Sequence, residues 1–221
     1  MDLSHIRWHG HASMELEAKG KKIFVDPFNL EAIDAKADVV FITHQHFDHF
    51  SIPDIKKIAT ENTHFVAPRD VASELEGKLF KNVIAAEPGT SANVLGIRYS
   101  VVPAYNTYQE KQGFHPKEKD WNGYIIESDS GKVYHAGDTD LIEEMKNIET
   151  DVALLPIGGK YTMDLEDAIK ACSYVKAKTF VPMHYKAVLG KEKSIGVEKA
   201  FAERVSNSAM LKDLNEYFEF S

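Results

Sequence analysis

Thr43-His44-Gln45-His46-Phe47-Asp48-His49 is the stretch that decides how this chain is read. It follows an unbroken apolar run, Asp38-Val39-Val40-Phe41-Ile42-Thr43, of the kind found in strands covered on both faces. Four groups able to bind a metal fall within six positions, where that buried strand reaches solvent. Alternate residues at a strand end point to one side, so His44 and His46 can share one cation. The turn after them lets Asp48 and His49 face a second cation beside the first. Imidazole and carboxylate donors suit Zn²⁺ or Mn²⁺, with Fe²⁺ less favoured, and leave positions open for water. A merely polar turn would bring four such groups together at a desolvation cost with nothing to offset it.

One loop cannot complete two coordination spheres, so further ligands are expected at other strand ends. Asp138, in His135-Ala136-Gly137-Asp138-Thr139, follows a strand and sits in a tight glycine turn. A carboxylate there can bridge two cations ~3.5–4 Å apart, the spacing of two-metal hydrolysis. Taken alone, Asp138 reads equally well as the cap of a helix beginning near Leu141. His184 ends the strand Thr179-Phe180-Val181-Pro182-Met183, where a neutral imidazole can close the second metal's shell.

Working outward, the patterning alternates strands and helices. A β-meander is expected over 13–25, a helix opened by Ser51 and Pro53, a strand at 64–67 and a short helix at 71–75. More strands follow at 91–95, 97–102, 124–127 and 132–135. A buried strand at 151–156 leads to a helix at 164–175, and a helix at 197–205 precedes a closing strand at 216–220. No linker or composition break interrupts the chain. The reading is one domain, 1–221, of two ββαβα-like halves with helices outside two facing sheets. Residues 103–122 lack periodicity, and a loop that long inside a domain points to function.

Apolar residues make up 43% and charged residues 27% of the 221 positions, ordinary for a soluble globular protein. No stretch reaches the ~20 apolar residues of a membrane span. The N-terminus lacks a secretory pattern and Cys172 is the single cysteine, so the expected compartment is the cytoplasm and Cys172 a core residue. A formal charge of −8 and the lack of a basic stripe argue for a small-molecule substrate over a nucleic acid.

With HxHxDH at 44–49, GDT at 137–139 and the terminal His184, the chain resembles the metallo-β-lactamase superfamily along nearly its whole length. WHGHAS, PAYN, YHAGDTD, LLPIGGKYTMD and VPMHY make it similar to small hydrolases near the ascorbate-6-phosphate lactonases and N-acyl-phosphatidylethanolamine phospholipase D. The resemblance implies an α/β fold, a four-layer αββα sandwich with two metals at its open edge. His44 and His46 would serve metal one, Asp48, His49 and His184 metal two, and Asp138 would bridge. The superfamily usually supplies metal one with a third His, which in this branch follows a Pro-Ala pair. Here Pro103-Ala104-Tyr105 leads to Asn106. His115 is the expected replacement, with the Asn106 amide oxygen or a vacant position as alternatives.

The expected chemistry is hydrolysis of an ester, lactone or phosphodiester by activated water, with Asp48 orienting the nucleophile. His11 is expected near the site, donating to substrate or orienting a ligand. Tyr105, Tyr108, Phe114 and Trp121 would offer apolar contacts from the 103–122 loop, and Lys160, Tyr161 and Thr162 lie at the same expected edge. Three rivals share the motifs: a metal-binding or sensing module without catalysis, a nucleic-acid-processing hydrolase, and a di-iron oxidoreductase. The last resembles HxExD, whereas His46 stands in the second position here, and no chain remains for its flavodoxin domain.

Overall fold

Period-two patterning near the N-terminus produces an antiparallel meander of β1 (Ile6–Trp8), β2 (Met14–Ala18) and β3 (Lys21–Val25). The computed structural model describes residues 2–31, 33–76 and 80–214. From β3 the sheet continues in parallel through β4 (Val39–Phe41), β5 (His64–Ala67) and β6 (Asn82–Ala85). The crossovers carry α1 (Ile52–Ile58) and α2 (Arg69–Glu76). A second six-stranded sheet follows the same plan. β7 (Ser91–Val94), β8 (Ile97–Pro103), β9 (Asn122–Ser128) and β10 (Gly131–His135) run antiparallel, and β11 (Glu149–Pro156) and β12 (Lys176–Met183) add in parallel. α3 (Leu165–Tyr174) joins the last two strands, and α4 (Lys186–Leu189) and α5 (Lys191–Arg204) follow. Two mixed sheets with helices outside them form the expected α/β sandwich.

The apolar run at 38–43 is explained by its two faces. Val39 and Phe41 point into the core between the sheets, where the Phe41 ring meets Tyr99 and Tyr124 edge-on at 5.2 and 5.0 Å. Val40 and Ile42 point the other way, onto Ile55, Ile58, Val71 and Leu75 of α1 and α2. Each such side chain, fully buried, contributes roughly 1.5–3 kcal/mol. Ser51 caps α1, accepting from the Asp54 amide at 3.4 Å, and Asp164 caps α3, accepting from the Asp167 amide at 2.9 Å.

Some expectations change. The helix expected near Leu141 is a short 3₁₀ helix, Glu143–Asn147, whose cap position is Ile142, so Asp138 does not cap it. α5 begins at Lys191, six residues before the apolar pattern suggests, because its first turn is a lysine-rich exposed one. The strand expected at 216–220 lies outside the described residues. Cys172 is half-buried on α3, and burial pushes its thiol up to about 12, which fits a packing role.

The sheets are tied where the histidine cluster begins. The Tyr124 hydroxyl donates to the Ile42 carbonyl at 2.8 Å, and the Asn122 amide donates to the Thr43 carbonyl at 3.0 Å. The C-terminal ends of β3, β4, β10 and β12 therefore meet along one edge of the sandwich.

Candidate metal centre

Each of those strand ends delivers part of one cluster. His44, His46, Asp48 and His49 follow β4, Asp138 follows the Gly137 turn after β10, and His184 follows β12. His11 arrives from the turn between β1 and β2, and His115 from the loop between β8 and β9. Three sets bring ligand atoms within 4.8 Å of one another: His44, His46 and His115; His11, Asp48, His49 and His184; and His44, His49 and Asp138. Asp138 lies between the first two sets. Its Oδ1 is 3.3 Å from His49 Nε2, and its Oδ2 is 3.4 Å from His115 Nε2 and 3.1 Å from His184 Nε2.

The backbone is shaped for this convergence. Among the described residues seven non-glycine positions have positive φ, and His11, Asp26 and His184 are three of them. Such a conformation costs a non-glycine residue roughly 1–3 kcal/mol and tends to cluster at functional sites. Gly137 turns at φ +64°, where a Cβ would stand 2.8 Å from the Asn122 carbonyl. At Gly158 a Cβ would come within 2.4 Å of the His184 carbonyl, so only glycine lets the end of β12 lie there.

A ring of partners fixes which nitrogen each histidine presents. Asp26 accepts from the Thr43 amide at 2.8 Å, from the Thr43 hydroxyl at 2.6 Å and from His49 Nδ1 at 2.7 Å. With its own proton given to Asp26, the Thr43 hydroxyl accepts from His44 Nδ1 at 2.9 Å. His115 Nδ1 donates to Asn106 Oδ1 at 2.9 Å. His44, His49 and His115 are thus each held to present Nε2 inward, as metal-bound histidines are. Nε2 of His49, Nε2 of His115, Nε2 of His184 and Oδ1 of Asp138 are buried with no hydrogen-bond partner. Converging at one point, these orphaned atoms leave a place that an ion could fill. The donor set, nitrogens with a few carboxylates, fits a divalent transition metal.

Burial, then the neighbouring His49, holds His44 well below the ordinary imidazole range. Burial and His115 hold His46 down to about 4, and burial and His184 hold His11 at about 4. These rings are neutral at pH 7. Burial opposes charge on His49 too, but Asp138, Asp26 and Asp48 outweigh it and raise its pKa well above the ordinary value. Burial would raise both Asp48 and Asp138; instead His49 and His11 around the first, and His184 and His49 around the second, hold them ionised.

The other expected residues divide. Asn106 does not face the cluster as a ligand: its Oδ1 accepts from both the amide and the ring of His115, and its Nδ2 donates to the Tyr161 carbonyl at 2.9 Å. His11 Nε2 lies 2.9 Å from Asp48 Oδ2, with its side chain shielded from solvent. Trp121 is no loop contact for a substrate. It is 3% exposed, packs on the rings of His44 and His46 at 4.9 and 5.1 Å, and donates to Asp70. The register that pairs Pro103 with Asn122 draws it inward. Tyr105 turns to Glu144 and Tyr108 to Asp167, while Phe114 stays exposed against Tyr161. Lys160 is exposed over the Tyr161 ring, and Thr162 is buried. Asp26 escaped the sequence reading; its one signal was an Asp-Pro pair ending a strand that neighbours β4.

Residues 5–184 match the family model described as the beta-lactamase superfamily domain. A UPF0173 metal-dependent hydrolase of Methanoculleus marisnigri is 38% identical over 192 residues, covering 81% of this chain and 80% of its own. A solved structure from Parabacteroides distasonis superposes with a TM-score of 0.81 at 31% identity, over 94% of this chain and 92% of that one. Igni18, a metallo hydrolase from Ignicoccus hospitalis, has a TM-score of 0.75 at 28% identity over 98% of both chains.

Proposed function

Since the chain belongs to the metallo-β-lactamase superfamily and is a metal-dependent hydrolase, we propose that it works with two divalent cations, Zn²⁺ or Mn²⁺, on an ester, lactone or phosphodiester of a small molecule. The observation that carries this reading is Asp138, whose two oxygens face histidines of both ligand sets. In this reading His44, His46 and His115 would hold one cation and Asp48, His49 and His184 the other, with Asp138 facing both sets. Bound there, the metals supply water activation near neutral pH and polarisation of the scissile carbonyl or phosphoryl oxygen.

The protein's own groups do the rest. Asp48 is ionised and partly open to solvent, with 14% of its side chain exposed, so it can accept a hydrogen bond from the attacking water and orient it. His11, neutral at pH 7 and shielded behind Asp48, fits the orienting task better than proton donation to a leaving group. Asp26 and Asn106 hold His49 and His115 in the productive tautomer. The net charge of −8 supports a small-molecule substrate.

Elemental analysis of the wild type and of His115→Ala tests the reading. Close to two metals per chain, falling toward one in the variant, is expected. One or none in the wild type after Zn²⁺ or Mn²⁺ addition would overturn the two-metal site. Ester or phosphodiester cleavage should appear on metal addition and vanish in Asp138→Ala.

A further inference from the structure

His135 closes β10 just before the Gly137 turn and is fully buried, yet it belongs to none of the three ligand sets. Its ring has no nitrogen left for a cation. Nε2 donates to the Ala12 carbonyl at 2.8 Å, and Nδ1 accepts from the Gly137 amide at 3.2 Å. These two bonds require the ring's one proton on Nε2, and burial lowers its pKa, so it is neutral at pH 7.

What the ring joins is the two sheets, at the turns that lead to the carboxylates. Ala12 follows His11 in the turn between β1 and β2, and His11 Nε2 lies 2.9 Å from Asp48 Oδ2. Gly137 precedes Asp138, whose oxygens face histidines of both ligand sets. Both turns use left-handed backbone, with φ +51° at His11 and +64° at Gly137. At a non-glycine residue such backbone persists only where its surroundings fix it. The His11 carbonyl accepts from Trp8 Nε1 and from the His184 amide, both at 3.0 Å, and the next carbonyl accepts from His135. Any buried ring needs its nitrogens satisfied. What distinguishes this one is that its two partners belong to different sheets and stand next in sequence to His11 and Asp138.

We propose that His135 is a positioning residue, a ring that holds the His11 turn with one nitrogen and the Asp138 turn with the other, and so sets how Asp48 and Asp138 face each other across the metal centre. This inference rests on the two-cation reading above and adds a residue that binds no metal itself.

Stepwise titration of the metal-free protein with Co²⁺, read by its visible absorption bands and by competition with a chromophoric chelator, tests this without any turnover. An asparagine amide reaches about as far as Nδ1 and a glutamine amide about as far as Nε2. His135→Asn therefore keeps the Gly137 bond, and His135→Gln keeps the Ala12 bond. Loss of a partner that orients a ligand weakens metal binding about 10–100-fold, and the lower end, about tenfold, is expected for a residue one step further out. In His135→Asn one Co²⁺ affinity should fall about tenfold and the other stay within about twofold of wild type, because His11 and Asp48 belong to a single set. In His135→Gln both affinities should fall and the bands shift, because Asp138 faces both sets. Thermal denaturation of the metal-free variants reads the fold separately. A ring that serves packing alone would lower Tm in both variants and leave both affinities and the bands as in wild type. That result, or the same pattern of loss in the two variants, would overturn the positioning role while leaving the metal centre standing. A wild type that binds fewer than two Co²⁺ would overturn the two-cation reading, and this inference with it.

Discussion

Asn106→Ala is the most informative substitution, because it separates a residue that binds metal from one that places a ligand. Asn106 is 2% exposed and makes three side-chain hydrogen bonds: from the His115 amide at 3.2 Å, from His115 Nδ1 at 2.9 Å, and to the Tyr161 carbonyl at 2.9 Å. Losing them leaves buried partners unsatisfied, at a cost of about 2–4 kcal/mol to the metal-free fold. For a chain of this size each kcal/mol moves Tm by about 2–4 °C, so a fall of about 5–15 °C is expected. Freed of its acceptor, His115 can rotate or change tautomer, and loss of such a partner weakens metal binding about 10–100-fold, or about 1.4–2.7 kcal/mol. Titration of the metal-free protein against a chromophoric chelator reads the affinity, and thermal denaturation reads the stability. Asn106→Asp keeps the acceptor and should recover much of the affinity. An Asn106→Ala protein that binds both metals within twofold of wild type would refute the positioning argument. Loss of one metal in that variant, with both retained in His115→Ala, would make Asn106 the ligand after all.

Asp26→Asn should weaken metal binding about 10–100-fold, since His49 loses the carboxylate at 2.7 Å that fixes its tautomer; the same titration would show it. Trp121→Ala removes a buried ring from beside His44 and should cost about 3–5 kcal/mol, read as a fall in the denaturant midpoint with little change in slope. The metal-free protein should be most stable near pH 6.5. His11 and His46 are depressed to about 4, so between 6.5 and 4 the unfolded chain holds more protons and stability falls with acid. His49 is raised, so its contribution is complete below 6.5 and fades as pH climbs toward its folded value. A Tm profile that stays flat from pH 4 to 9 would contradict both directions.

The convergence of the main candidate ligands could be read from sequence because they sit at strand ends, where two-residue periodicity already fixes which way a side chain points. His44 and His46 follow a run whose apolar character announces a buried strand, and the run stops where the polar groups begin. Asp138 and His184 follow the same rule on the second sheet. Asp26 is different: its importance depends on the parallel pairing of β3 with β4, which sets its carboxylate against Thr43, seventeen positions away. No local pattern encodes that meeting. The same holds for Trp121, whose polar neighbours suggest a solvent-facing loop. Its burial follows from the β8–β9 register and from the Asn122 amide bonding to Thr43, both long-range events. Helix limits failed for a related reason: the first turn of α5 presents Lys191 and Lys193 to solvent, so no apolar period marks its start.

Strain and unsatisfied polarity coincide at one edge of the molecule, and that coincidence argues for a bound ion more strongly than the ligand types alone. His11, Asp26 and His184 hold left-handed backbone, and the orphaned nitrogens of His49, His115 and His184 share their space with Asp138. Each strained residue opposes folding by roughly 1–3 kcal/mol, and a buried orphan by about as much. The paired sheets absorb this cost through an apolar core that reaches to the cluster's edge, with Phe41, Tyr99 and Tyr124 beneath β4. A fold selected for stability alone would relieve such a cluster by replacing one histidine with an apolar residue. Asp26, Thr43 and Asn106 do the reverse: they hold the inward nitrogens of His49, His44 and His115 in one space beside Asp138, where a cation would take the place of the proton that the raised His49 carries.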